Sequence, residues 1–117
     1  MPFEAQFLHG DPLMVDHTPS GAVAAGEVVV VGNTPRVAHL DIAANTLGAL
    51  AAGGGVYQML CASGANVAAG KLVYWDNAAN AFTETASGNL HFGFTVAAVT
   101  KATYGPVKHD PNGEPAA

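Results

Sequence analysis

The 117-residue chain is predicted to form a single all-β domain. Glycine and proline, with 14 and 7 residues, interrupt the sequence at intervals of roughly 8–12 residues, a spacing typical of many short strands. Between the interruptions lie segments rich in β-branched and aromatic residues, which favour a pleated surface. A chain of this length supports one hydrophobic core and is too short for two domains of ordinary size.

The composition indicates a thin core. Half of the residues are apolar and 11% are charged, but small residues, alanine above all, make up much of the apolar fraction. Small domains bury a smaller share of their surface than large ones, so some apolar surface is expected to be covered by another copy or another protein. We therefore expect an oligomer or a bound partner.

Two hairpins are the clearest predicted elements. Residues 27–31 form a β-branched run between two glycines, and residues 36–40 alternate polar and apolar side chains, as a strand with one solvated face does. Residues 71–75 form a second apolar run, and residues 81–85 alternate as its expected hairpin partner.

The middle of the chain is the ambiguous part. Residues 42–52 fit a short helix as well as a loop followed by a strand, although Gly48 and the glycine run at 53–55 argue against a helix of any length. Residues 56–60 and 90–99 are predicted to be strands because they are rich in apolar and aromatic residues.

The two ends of the chain are predicted to lie outside the core. Residues 1–18 are interpreted as an N-terminal arm, 19–104 as the core, and 105–117 as a flexible C-terminal tail. The tail contains Pro106 and Pro111, and proline cannot donate a hydrogen bond to a sheet ladder. The expected architecture is a small β-barrel or sandwich built from short hairpins, with extended N- and C-terminal arms.

An internal similarity supports this architecture. Residues 23–33 match residues 67–77, and each copy reads as a turn, a strand, a turn and an alternating strand. An isolated hairpin cannot bury its apolar face, so two related hairpins favour packing into a barrel or a sandwich.

Charge argues against two classes of partner. The net charge is −5, and the four basic residues are spread singly along the chain, so no basic patch is available to neutralise a row of phosphates. We therefore expect no nucleic-acid partner. The first six residues lack the basic and apolar regions of a signal peptide, and no run approaches the ~20 apolar residues of a membrane span. We expect no membrane partner and synthesis in a cytoplasm.

The segment from Gly64 to Lys71 is the nearest approach to a nucleotide-binding motif. A P-loop has four residues between its glycines and a Ser or Thr after the lysine, whereas here five residues separate Gly64 from Gly70 and Leu72 follows Lys71. The segment also runs into a predicted strand, so it lacks the helix N-terminal amides that bind phosphate. No cofactor is expected.

The histidines and acids do not form a metal-binding pattern. The five histidines show none of the close spacings that place two imidazoles on one metal. Asp11, Asp16 and His17 are the densest group of possible ligands, and they lie in a segment that reads as a surface loop. We expect no metal, with a metal at a subunit interface as the alternative.

No catalytic arrangement is recognisable either. Ser20, Ser63 and Ser87 each lie beside glycine in a turn-like context, and no nucleophile-elbow motif is present. Cys61 follows Leu60 and reads as a small buried apolar residue with no basic neighbour in the sequence. We predict that the protein is not an enzyme.

The aromatic residues are the candidate site. An aromatic stripe on strands is more often core or interface packing than a base-stacking platform, and the sequence leaves open core or subunit contact for each of them. We predict interface roles for six residues: Phe3, Phe7, Tyr57, Trp75, Phe92 and Tyr104.

An ordered series of segments resembles a known family. Residues 27–32, 36–38, 69–76, 83–88 and 93–97 together resemble the DUF2190 family of phage capsid cement proteins. The similarity extends over most of the chain, and the order of the segments is more specific than any one of them.

This resemblance implies a structural role on a virus particle. It implies a β-rich head decoration protein that binds the outer surface of an assembled phage head as a dimer or trimer and stabilises contacts between major capsid protein subunits. The Pro-rich end and the glycine run at 53–55 depart from the family pattern. The alternative from another class is a small-ligand-binding β-barrel module, which would need a cavity lined by the aromatic residues.

Overall fold

The structure is a computed structural model that describes residues 4–62, 64 and 66–111, and the described chain contains strands and no helix. The all-β prediction is therefore confirmed. Ten strands follow one another along the chain: β1 Ala5–Gly10, β2 Met14–His17, β3 Val28–Val31, β4 Thr34–Val37, β5 Gly48–Ala51, β6 Gly55–Leu60, β7 Leu72–Asp76, β8 Ala81–Thr83, β9 Leu90–Thr95 and β10 Tyr104–His109.

The strands form two antiparallel sheets. One sheet has six strands in the order β1-β6-β10-β9-β7-β8, and the other has four in the order β2-β5-β4-β3. The six-stranded sheet curls, so that Cys61, just beyond β6, makes a single bridge to Phe82 in β8. This bridge does not extend into a ladder, and the fold contains no closed barrel.

Both predicted hairpins are present, but the second strand of the first one is Thr34–Val37 and overlaps the predicted residues 36–40 only at 36 and 37. In the first, Val28 pairs with Val37 and Val31 pairs with Thr34, which closes a tight turn between β3 and β4. In the second, Tyr74 pairs with Thr83 and Asp76 pairs with Ala81. Local sequence was sufficient here because each turn lies between two strands that pair with each other.

The ambiguous middle segment forms a loop and a strand. Residues Gly48–Ala51 are β5, which pairs with β2 along four residues and with β4 at Ala51. Asn45 precedes the strand with a φ of 59°, a left-handed conformation that asparagine tolerates better than most residues. The prediction from these glycines that the segment forms no long helix is therefore confirmed.

The expectation that the chain leaves the sheet at Gly105 is wrong. Residues 105–109 belong to β10, which lies between β6 and β9 in the interior of the six-stranded sheet. Pro106 is tolerated because β9 ends at Thr95. The backbone bends away after that residue, and the Val96 amide donates to the Pro106 carbonyl at 3.0 Å. At this position no ladder bond needs the amide that proline lacks.

The predicted N-terminal arm is built into both sheets. Its residues include β1, which pairs with β6, and β2, which pairs with β5. The amides of Glu4 and Ala5 both donate to the Gly26 carbonyl, and Glu4 Oε1 accepts a 2.7 Å bond from the Val28 amide. The start of the chain thus connects the two sheets, while the division at residues 18 and 104 stays a prediction.

The two sheets contain the same four-stranded unit. In the first unit the order is β2-β5-β4-β3, and β6, β10, β9 and β7 occupy the same places in the second. The registers agree as well. Val37 of β4 pairs with Val28 of β3 and with Ala51 of β5. In the second unit Phe94 of β9 makes the equivalent pairs, with Leu72 of β7 and with Lys108 of β10.

Each unit also has the same pair of connecting loops. Val23 and Ile42 exchange two backbone hydrogen bonds of 2.9 and 2.8 Å, and Val67 and Val99 exchange two of 2.8 Å. Three residues after each of these four positions the chain adopts a positive φ, at Gly26, Asn45, Gly70 and Ala102. The similarity of residues 23–33 to 67–77 is therefore one part of a structural duplication that covers both halves of the chain.

Two strands have no counterpart in the first unit. β8 follows β7 in the chain and lies at the outer edge of β7, and β1 lies at the outer edge of β6. The strand equivalent to β6 in the first unit is β2, which has β5 as its single neighbour in the sheet. The second unit is thus extended at both edges.

The core consists of two clusters. The larger cluster contains the buried side chains of the second unit together with Val28, Val37 and Ala51 from one face of the first unit. The smaller cluster lies on the other face of the first unit, where Ile42 and Leu50 pack together. The four-stranded sheet of the first unit therefore has buried side chains on both faces.

Candidate functional site

Four of the predicted aromatic residues lie along one row of rings. The Tyr57 ring centroid is 5.6 Å from that of Phe7, and the Phe92 centroid is 6.4 Å from that of Trp75. His109 joins the two pairs, with its ring 5.8 Å from Tyr57 and 4.6 Å from Phe92. The row extends from the surface at Phe7 into the larger core cluster.

His109 is the most perturbed group of the row. It is fully buried, and its Nε2–H donates a 2.7 Å hydrogen bond to the Pro35 carbonyl, while Nδ1 has no partner among the described residues. Burial lowers the pKa of His109 to about 4, because a charged imidazole there would lose its hydration. The ring is therefore neutral at pH 7 and bonds β10 to β4 of the other sheet.

His39 and Tyr57 form the second polar contact of the row. His39 Nε2 lies 2.7 Å from the Tyr57 hydroxyl. Burial raises the pKa of Tyr57 well above its usual value and lowers the pKa of His39. Both shifts favour neutral groups, so His39 and Tyr57 form a hydrogen bond between neutral side chains.

The six predicted interface residues divide into three groups. Tyr57, Trp75 and Phe92 are completely buried in the larger core cluster, and their predicted interface role stays untested. Phe7 and Tyr104 are 41% and 39% exposed, and their interface role stays a prediction. Phe3 lies outside the described residues. Sequence could not separate the buried from the exposed residues, because the five described aromatics all lie on strands and burial depends on how the two sheets pack.

The described residues contain no group of three or more His, Cys, Asp or Glu side chains that could hold a metal ion. Cys61 is buried in the larger core cluster. Lys71, the lysine of the incomplete nucleotide motif, follows the left-handed Gly70 and lies 3.9 Å from the Glu84 carboxylate. Within the residues that the structure describes, no helix has the length and apolar character needed to cross a membrane.

A patch of exposed apolar side chains lies beside β2. Leu13 is 67% exposed and Met14 is 41% exposed, and the nearby Leu40 and Leu47 are 75% and 67% exposed. Met14, Leu40 and Leu47 line one cavity of about 260 Å³. We call Leu13, Met14, Leu40 and Leu47 together the β2 patch. Sequence analysis missed it, because residues 36–40 were predicted to be a strand, whereas Leu40 and Leu47 lie in the loop between β4 and β5.

The β2 patch lies on the more acidic half of the molecule. Between residues 14 and 51 the chain has three acidic residues and one basic residue, Arg36. Asp16 lies on β2, and Asp41 lines the same cavity as Met14 and Leu40. An apolar patch with an acidic border is the usual character of a protein-binding surface and does not suit an anionic ligand.

Fold and surface together define an all-β protein of two antiparallel sheets with an exposed apolar patch. The family comparison is more specific: the model of the phage cement protein family matches residues 8–108. The chain belongs to the phage cement protein family, as its sequence segments indicated.

Membership of this family assigns the protein a capsid-associated structural role and a place in the virion, in a family that is structural and not enzymatic. No curated protein and no solved structure matches the chain.

Proposed function

We propose that this protein binds the outer surface of an assembled phage head and stabilises contacts between major capsid protein subunits. The observation that carries the proposal is the family match over residues 8–108, which covers all ten strands except the first three residues of β1 and the last residue of β10. The protein would be made in the host bacterial cytoplasm and would bind after the capsid subunits have assembled.

The fold supports this role physically. Two duplicated sheets share one core and are joined by the His109–Pro35 and His39–Tyr57 hydrogen bonds, so the module presents a stiff surface. Repeated copies on a capsid lattice would gain from avidity, so that each contact could be weak. The same chain would form a homodimer or homotrimer through the exposed Phe7 and Tyr104.

The ligand-binding alternative receives no support from the packing. It required the aromatic residues to line a cavity, whereas Tyr57, Trp75 and Phe92 pack against one another and their neighbours in the core. A phage cement protein needs no such cavity.

Capsid binding tests the proposal. Purified protein is added to empty heads of the source phage that lack it, and bound copies are counted after sedimentation. We expect saturable binding with a fixed number of copies per head, together with a higher temperature or denaturant concentration for head disruption. Heads that neither bind the protein nor gain stability would contradict the proposed function. Light scattering of the free protein tests the dimer or trimer.

A further inference from the structure

Among the described residues, one strand edge of the first unit has no neighbouring strand. In the second unit β1 pairs with the outer edge of β6, with Gln6 opposite Gln58 and Phe7 opposite Tyr57. The strand equivalent to β6 is β2, whose register with β5 repeats that of β6 with β10. The fold thus shows what this edge accepts in one unit and leaves the same edge open in the other.

The polar backbone groups of β2 are aimed correctly for a further strand. The Leu13 amide donates to the Gly53 carbonyl, and the Leu13 carbonyl accepts from the Ala52 amide, both at 2.8 Å, so Leu13 bonds inward. Backbone groups alternate in direction along an antiparallel strand, and those of Met14 and Asp16 therefore point outward. Such an edge is a template for pairing with another chain.

The surroundings of this edge indicate an interaction surface. Of the nine large apolar side chains that are exposed among the described residues, four form the β2 patch. Strand addition generally obtains affinity from main-chain bonds and specificity from pockets for alternate side chains. The cavity of about 260 Å³ between Met14, Leu40 and Leu47 would serve as that pocket.

Charge decides between a second copy and a different partner. Two copies joined edge to edge through β2 would bring Asp16 and Asp41 of each copy into one interface, where like charges oppose association. An extended segment with lysine or arginine among apolar residues has the complementary charge. The edge therefore suits a basic, apolar strand from another protein.

We propose that the outer edge of β2 binds one extended strand of the major capsid protein, running antiparallel to β2 as β1 runs antiparallel to β6. The strand would form main-chain hydrogen bonds with Met14 and Asp16, and an apolar side chain would enter the cavity beside Leu47. This inference rests on the proposed capsid-binding function and names the surface and the partner chemistry for it.

Head binding by three variants tests the inference. Asp16→Pro removes an outward amide, and Leu47→Asp places a charge in the patch. Leu72→Asp is the matched control. Leu72 is also an exposed leucine, at 54%, but it lies on β7, away from the β2 patch. We expect at least tenfold weaker head binding for the first two variants and wild-type binding for the control, with thermal unfolding confirming that each variant is folded. If Asp16→Pro does not fold, Leu47→Asp and its control carry the test.

The outcomes separate this inference from the proposed function. Wild-type protein that binds heads while Asp16→Pro and Leu47→Asp bind equally well would overturn the β2 site and leave the cement role intact. Failure of the wild-type protein to bind heads would overturn both. A wild-type dimer that Asp16→Pro converts to a monomer would show a second copy on the edge and would also overturn the inference. Slower hydrogen exchange of the Met14 and Asp16 amides on heads would support it.

Discussion

Acidification should destabilise the fold through His109. The pKa of this histidine is about 4 in the folded state and close to 6.5 in the unfolded chain. Between these values the unfolded chain binds more protons than the folded protein, so stability falls as the pH falls. A difference of about 2.5 pK units corresponds to about 3 kcal/mol, which is fully present above pH 6.5 and is lost by pH 4.

The structural reason is the environment of the ring. Nε2–H already bonds to the Pro35 carbonyl, so a second proton would go to Nδ1, which has no partner among the described residues. Protonation of His109 at Nδ1 therefore favours unfolding of the chain or separation of β10 from β4. The loss of stability should therefore accompany loosening of the contact between the two sheets.

The assay is urea unfolding of the wild-type protein and of His109→Phe between pH 4 and pH 7.5. Because other titrating groups are common to both proteins, the difference between the two free energies of unfolding isolates His109. At pH 7 the variant should be less stable by about 1–3 kcal/mol, because the buried Pro35 carbonyl loses its donor. This gap should close or reverse by pH 4. Parallel pH profiles for the two proteins would refute the reasoning.

Two further substitutions test the duplicated loops. Thr95→Val should lower the free energy of unfolding by about 1–3 kcal/mol, because the Thr95 hydroxyl donates to the Ala68 carbonyl at 2.7 Å and accepts from the Lys71 amide at 3.1 Å; an unchanged urea midpoint would contradict this. Gly48→Ala should cost about 1–3 kcal/mol, because the added methyl would lie 2.8 Å from a buried isoleucine side chain. Gly21→Ala, which meets open space, is its control, and equal thermal midpoints for the two variants would count against the packing argument.

Some of the structure was predictable because it depends on neighbours in sequence. The β3–β4 and β7–β8 hairpins were predicted from alternation and turn residues, and both are present. The related segments at 23–33 and 67–77 indicated a repeated element, although they cover only the first part of each unit. In the remaining part of the units, identical residues such as Gly48 and Gly105 are too few to reveal the duplication.

The errors concern contacts between distant parts of the chain. Pro106 suggested that β10 could not form, but the end of β9 at Thr95 removes the need for its amide. The candidate site was predicted in part: the aromatic residues were recognised as important, yet Tyr57 and Trp75 turned out to be core residues. Burial is set by which faces of the two sheets meet, and no local pattern encodes this.

The sequence by itself determined the all-β class, the two hairpins and the phage cement family, because strand propensity, turn chemistry and ordered short segments are local properties. Only the tertiary structure decided that β10 lies inside a sheet, that His109 is buried neutral against Pro35, and that β2 keeps an open edge. The physical reason is that strand order and burial arise from pairings between segments far apart in the chain, such as β6 with β10, whose partners are chosen by the packing of the whole molecule.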